Sequence, residues 1–147
     1  MDRDELVEEL TTLLEAERAG ARVGASLVNE APDAEYEALA KVIQADEVKW
    51  AKALFEALVQ LGAEPSDKVG DFYEKAMAVS DFENRLAFTN RGQAWVVRRL
   101  NELLPQVDDD GLAGMLQAML DAHIENIGAA NDALDARGHP VPPQARL

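Results

Sequence analysis

The stretch Gln44-Ala45-Asp46-Glu47-Val48-Lys49-Trp50 decides how the rest of the chain is read. Through it run Leu39, Ile43, Glu47, Trp50, Leu54, Leu58 and Leu61, at three- and four-residue steps. That is the spacing of one helical face turned toward a core. Glu47 stands in the middle of this apolar stripe. A carboxylate there costs several kcal/mol, of order 3 or more, unless it is paired, protonated or bound to a metal. The other helices must therefore supply whatever Glu47 faces.

Composition limits the answer. The 147 residues suit one domain with a real core, and 48% hydrophobic with 29% charged residues describes a folded chain rather than a disordered one. Aromatics are only 5%, while Ala and Leu abound, which favours helices over strands. The net charge of −14 offers no basic face for nucleic acid. Arg91, Arg98 and Arg99 form a local basic cluster whose expected partner is an acidic neighbouring helix. With no cysteine, disulfides, iron–sulfur clusters and thiolate chemistry are excluded. The start, Met1-Asp2-Arg3-Asp4-Glu5, lacks the basic and apolar runs of a signal peptide, and no stretch approaches the ~20 apolar residues of a membrane span. A cytoplasmic protein without membrane contact is expected. There is no phosphate-binding glycine loop, and Ser26, Ser66 and Ser80 read as surface or cap residues. No catalytic residue and no substrate pocket is implied.

Working outward from Glu47, the spacing predicts four long helices. The first follows an Asp2/Glu5 capping box and runs to about Asn29, with Leu6, Leu10, Leu13, Glu17, Gly20, Gly24 and Leu27 inward. Its glycines are tolerable if another helix packs closely there. After a short turn through Pro32, Asp33 caps the second helix, which lasts to Leu61 before Gly62. So short a turn makes these two helices antiparallel neighbours. Ala63 to Ser80 is the longest connection, with a short amphipathic piece at Asp71 to Val79. It is long enough to carry the chain back along the bundle, so that the third helix starts where the second started; this crossover is favoured over the plain up-down-up-down bundle that short loops throughout would suggest. Ser80 is the expected cap of that third helix, whose inward face is Phe82, Leu86, Thr89, Gln93, Val96, Leu100 and Leu103, with Pro105 as its stop. Asp108 to Asp110 open the fourth, which presents Leu112, Leu116, Met119, His123, Ile127, Ala130 and Leu134 and ends at Gly138. Residues 1–138 form the helical domain, and 139–147 a proline-rich tail expected to be extended or mobile, with His139 lacking a partner.

Each inward stripe is broken once, near mid-helix, by Glu17, Glu47, Gln93 or His123. In an antiparallel bundle, midpoints share a level. Two carboxylates, an amide and an imidazole are thus expected around one point, which is how a four-helix core builds a metal site. Glu, Gln and His can also satisfy one another without an ion, with a water if needed, and such a cluster can fix register. Two converging carboxylates repel, which tilts the choice toward a cation or a shared proton. Asn90, three before Gln93, and Asn126, three after His123, share their neighbours' faces and are placed to orient them or to be solvated at the edge. Trp50 follows Glu47 inward and reads as a core aromatic with its indole N–H paired. Asp46, Asp121, Glu125 and Glu15 lie off the stripe and read as solvated charges.

At this point Leu13-Leu14-Glu15-Ala16-Glu17-Arg18-Ala19 and Asp46-Glu47-Val48-Lys49-Trp50-Ala51 resemble two motifs of the ferritin-like superfamily, particularly bacterioferritin and rubrerythrin relatives. The resemblance covers roughly residues 4 to 137. It implies an all-α, ferritin-like four-helix bundle with a long crossover containing a short helix between helices two and three. It also implies Glu17 and Glu47 as metal ligands, Gln93 in the place of a glutamate, and His123 in the place of the helix-four histidine. More narrowly, LLEAERAGAR and FTNRGQAWVVRRL are similar to a bacterial ferritin-like family of unassigned activity. The departures weigh heavily. Trp50 stands where the helix-two histidine would be, neutral Gln93 where a glutamate would be, and Leu120 where the helix-four glutamate would be. A pair of divalent ions brings four positive charges against at most two negative ones here. Di-iron oxidation and iron storage are therefore disfavoured. Three readings stay open: a degenerate site holding one divalent metal (iron, zinc or manganese), a non-catalytic interaction or assembly module with a metal-free polar cluster, and, least favoured, a di-iron oxidase or iron store. A homodimer is compatible with a bundle of this size, by analogy alone.

Overall fold

Four aspartates start the four long helices. Asp2, Asp33, Asp81 and Asp109 each stand one residue before a helix, and each accepts the backbone N–H three residues on. Each such cap contributes about 1 kcal/mol. In the computed structural model, which describes residues 1–147, the helices are α1 (Arg3–Glu30), α2 (Ala34–Gln60), the short α3 (Phe72–Met77), α4 (Phe82–Leu103) and α5 (Asp110–Ala136). The chain is all-helical, without strands. Gly62 and Gly138 take φ of 77° and 71° and stop α2 and α5. Ser80, the expected cap of α4, gives way to Asp81, which accepts from Asn84 N at 3.3 Å. The cap falls one residue later because Asp81 itself turns the chain, at φ 77°.

Contacts between helix ends give the directions. Arg3 Nε donates to Leu61 O at 2.9 Å, so α1 begins where α2 ends. Arg85, early in α4, pairs with Glu30 at the end of α1, and Arg99, late in α4, pairs with Glu9 near its start. Thus α4 runs antiparallel to α1 and parallel to α2. The segment between α2 and α4 travels the length of the molecule, as its length predicted. Three ties hold it there. Gly70 N donates to Glu15 O at 3.0 Å. Arg18 Nη1 donates to the carbonyls of Ser66 and Lys68. The buried Arg85 donates to Ala76 O and Val79 O, closing the end of α3.

The apolar core falls into two clusters. One gathers Leu10, Leu13, Leu54, Leu58, Leu100 and Leu116; the other gathers Val23, Leu27, Tyr36, Ile43, Leu86 and Leu134. Glu17, Glu47, Arg85, Thr89, Asn90, Gln93, His123, Asn126 and Asn131 are buried too, and are the polar residues of the interior. The two glycines of α1 mark a close approach of α2. A Cβ on Gly24 would lie 3.0 Å from Gln44 Cα, and one on Gly20 would lie 2.4 Å from Glu47 Oε2.

The tail departs from expectation. Ala145 is fully buried, its carbonyl accepts from Asn131 Nδ2 at 2.9 Å, and Arg146 pairs with Asp135 at 2.8 Å. His139 also has partners: its N–H reaches Leu134 O at 3.0 Å and its Nε2 lies 3.0 Å from Asn84 Oδ1. One buried methyl, a carbonyl, an ion pair and the His139 contacts dock the segment, and none of these produces a helical period. Arg99 finds the acidic partner expected of it, Glu9 on α1, through two contacts of 2.9 Å. No helix is long and apolar enough to cross a membrane.

Candidate metal centre

Four helices deliver one polar side chain each to the middle of the core: Glu17 from α1, Glu47 from α2, Gln93 from α4 and His123 from α5. All four are at most 4% exposed. One donor atom each from Glu17, Glu47 and His123 lie within 4.8 Å of one another. His123 Nε2 stands 2.9 Å from Glu17 Oε1 and 3.6 Å from Glu47 Oε1. Yet Glu17 Oε1 and His123 Nε2 make no hydrogen bond of proper geometry, to each other or to anything else. Gly20 makes this possible: any side chain there would occupy the space of the Glu47 carboxylate.

The tautomer of His123 follows from its neighbour. Nδ1 lies 2.8 Å from Met119 O. A carbonyl only accepts, so Nδ1 carries a proton, and in the neutral imidazole Nε2 presents a lone pair to the centre. This backbone-held ring is the arrangement found in metal-bound histidines.

Gln93 is oriented by a chain of amides with one possible polarity. Asn131 Nδ2 donates to Ala145 O at 2.9 Å, which leaves Asn131 Oδ1 to accept from Asn90 Nδ2 at 2.8 Å. Asn90 Nδ2 also donates to Ile127 O at 3.2 Å, so Asn90 Oδ1 accepts from Gln93 Nε2 at 3.2 Å. Backbone carbonyls at the far end cannot donate, so none of these amides can flip without loss. The unpartnered atom of Gln93 is therefore its oxygen, Oε1. A buried acceptor without a donor costs roughly 1–3 kcal/mol, which a donor or a cation would relieve.

Burial governs the charge. It pushes the Glu17 carboxyl up to about 7, helped by the negative field of Asp46 and opposed by a hydrogen bond from Glu47. Burial, then the Glu17 charge, drives Glu47 well above the usual carboxylate range, with His123 opposing. Without a cation the pair holds protons where isolated carboxyls would not. With one, both carboxylates have a reason to ionise.

The structure brings Glu17, Glu47 and His123 together; Gln93, held by Asn90, is buried and lines the same cleft as Glu17 and Glu47. Asn126 makes no hydrogen bond to His123. Its Nδ2 donates to Asp46 Oδ2 at 2.8 Å, a link between α5 and α2. Asp46 is thus half-buried and bonded rather than solvated, because the flanks of these two helices meet. Asp121 and Glu125 are exposed as expected, and Glu15 is half-buried. Trp50 is buried in the apolar cluster with the Lys49 ammonium 4.6 Å from its ring centre, but its Nε1 has no partner, contrary to expectation. Asn131 was not legible as a functional residue; the buried carbonyl it binds belongs to a tail without pattern. The largest omission is a cleft of about 1090 Å³ between α1, the crossover and α4, which reaches Glu17, Glu47 and Gln93. No sequence motif encodes it, since one wall is the aperiodic crossover.

Comparison with known proteins places the chain by family alone. The model of a family described as a domain of unknown function, DUF6306, matches residues 4–133. No curated protein and no solved structure matches the chain.

Proposed function

This chain belongs to the DUF6306 family, and we propose that it is a ferritin-like bundle holding one divalent metal ion between Glu17, Glu47 and His123. The observation that carries the proposal is the convergence of buried donor atoms from Glu17, Glu47 and His123, with Glu17 Oε1 and His123 Nε2 left without hydrogen-bond partners. Gln93, whose Oε1 is also unpartnered, lines the same cleft as Glu17 and Glu47. Two carboxylates and an imidazole suit zinc, manganese or iron(II). The ferritin-like ancestry draws support from the parallel α2 and α4 on either side of a long crossover, and from one buried polar residue per long helix.

A single ion follows from the residues that would have to hold a second one. Trp50 and Leu120, at the positions where the resemblance has further ligands, are both buried in the apolar cluster. Gln93 contributes an oxygen but no charge. A bound divalent ion would supply Lewis acidity and a water of lowered pKa. The chain's own residues do the rest. Met119 O orients His123, Asn90 orients Gln93, and Glu17 and Glu47 balance the charge, while the cleft that reaches Glu17, Glu47 and Gln93 gives access from solvent.

Thermal unfolding with added zinc, manganese or iron(II) tests this. The parent protein is expected to gain stability with at least one of them, and Glu17→Gln with none. A parent indifferent to all three overturns the proposal. The raised Glu17 carboxyl favours a second reading, a non-catalytic helical module in which Glu17 and Glu47 stay protonated and no metal binds. Indifference to metal is the outcome that reading requires.

A further inference from the structure

The cleft above the centre has a chemical character of its own. Four of the fourteen basic residues of this acidic chain line it: Lys68, Lys75, Arg91 and Arg98. Only Lys75 has a carboxylate within ion-pair distance, Asp71 at 3.2 Å. Glu15 is the remaining acid at the rim, so Lys68, Arg91 and Arg98 are in excess. Arg91 and Arg98 are exposed, and their neighbour Arg99 takes the Glu9 contact on α1. The wall below them is apolar. Phe88, Trp95 and Val96 come from α4, and Phe72 from α3 stacks on Phe88 with ring centres 5.2 Å apart. Phe72 is seated against Gly92, where a Cβ would lie 2.6 Å from its ring. The floor, the buried part of the lining, is polar: Glu17, Glu47 and Gln93 border the cleft there, and Glu17 and Gln93 each carry an unpartnered oxygen.

Along α4 the face therefore grades from cationic edge through apolar wall to amide floor. At 100° per residue, Arg91 and Arg98 lie to one side of Trp95, while Val96, Thr89 and Gln93 turn progressively inward. A neutral ligand would leave the basic edge unused, and a small inorganic anion would leave the apolar wall wet. We propose that the cleft binds an organic monocarboxylate with an apolar body. Its carboxylate sits at the edge formed by Arg91 and Arg98, its body lies along Phe88, Trp95 and Val96, and its far end is presented to the centre. The inference rests on the metal reading only for what lies at the floor; the edge and wall exist without it. Pockets for small molecules combine apolar walls with a few placed polar groups in this way.

Octanoate and 1-octanol, titrated calorimetrically into the zinc-treated full chain, provide the test. Octanoate is expected to bind at least about tenfold more tightly than 1-octanol, because a desolvated guanidinium–carboxylate contact outweighs a neutral one. In the double variant Arg91→Gln, Arg98→Gln that ratio falls to about one, with thermal stability little changed, since both side chains are exposed and without a carboxylate partner, Arg91 only lying over the Phe88 ring at 5.9 Å. Equal binding of the two probes by the parent, no binding of octanoate, or an unchanged ratio in the double variant overturns the inference. Zinc content measured on the same samples separates it from the metal reading. Octanoate preference kept in zinc-free Glu17→Gln protein supports the cleft regardless of metal, and zinc bound by a parent that ignores octanoate removes the cleft alone.

Discussion

Two polar clusters share the middle of this core, and they are built on different terms. Gln93, Asn90 and Asn131 hand hydrogen bonds along one direction and end on the carbonyls of Ile127 and Ala145. Glu17, Glu47 and His123 are equally buried, but their facing atoms are acceptors turned on one another. The amide chain is closed at every atom except Gln93 Oε1, which points out of it. The difference teaches that burial does not mark a site; hydrogen-bonding capacity left unused at a point of convergence does. One cluster spends its polarity on holding still. The other holds it in reserve for a proton or a cation.

The contrast is most sharply broken by removing a carboxylate. Glu17→Gln should lower metal affinity by more than about 100-fold, beyond the range of losses seen when only supporting residues are removed. Competition with a chromophoric chelator measures it, and parent-like affinity would count against the centre. At pH 8 the metal-free variant should be no less stable than the parent, since it lacks a carboxyl that burial penalises.

Next in size is a pH effect in the metal-free protein. Between 4.5 and about 7 the folded state keeps a proton on Glu17 that the unfolded chain has released. Stability should therefore be greatest below the lower value and fall as pH rises through the upper one. At about 1.4 kcal/mol per unit, Glu17 alone accounts for a loss of about 3 kcal/mol, and Glu47 acts in the same direction. Urea unfolding across that range reads it; saturating metal should flatten the curve, and stability rising with pH would contradict the assignment.

Asn90→Leu breaks the other cluster. It strands Asn131 Oδ1 and Gln93 Nε2, so a loss of about 1–3 kcal/mol is expected. Metal affinity should drop by only about tenfold, as for a residue that orients a ligand. The pH dependence assigned to Glu17 should survive, and its disappearance would mean the two clusters are one. The smallest effect is expected at Trp50. Its Nε1 is already without a partner, so Trp50→Phe should change stability by no more than about 1 kcal/mol and leave metal binding alone. A large loss of affinity would make Trp50 part of the centre.

The comparison also explains what the sequence could carry. Glu17, Glu47, Gln93 and His123 were legible because each interrupts an apolar stripe of known period, and a helix fixes which residues share a face. The close approach at Gly20 and Gly24 was legible for the same reason. Asn131 was not, since its burial depends on Ala145, fourteen residues on in a segment without period. Asp46 reads in the sequence as a solvated charge and Asn126 as a neighbour of His123, and only the packing of α2 against α5 turns the two toward each other. The cleft was invisible because the crossover that walls it is held by backbone carbonyls, of Glu15, Ser66 and Lys68, which every residue type possesses.

Equilibrium dialysis against zinc, followed by elemental analysis, tests the central claim most directly. The parent should retain one ion per chain and the double variant Glu17→Gln, Glu47→Gln none. Equal zinc in both, or none in either, would show that the three converging side chains are a buried hydrogen-bonding cluster and not a metal centre.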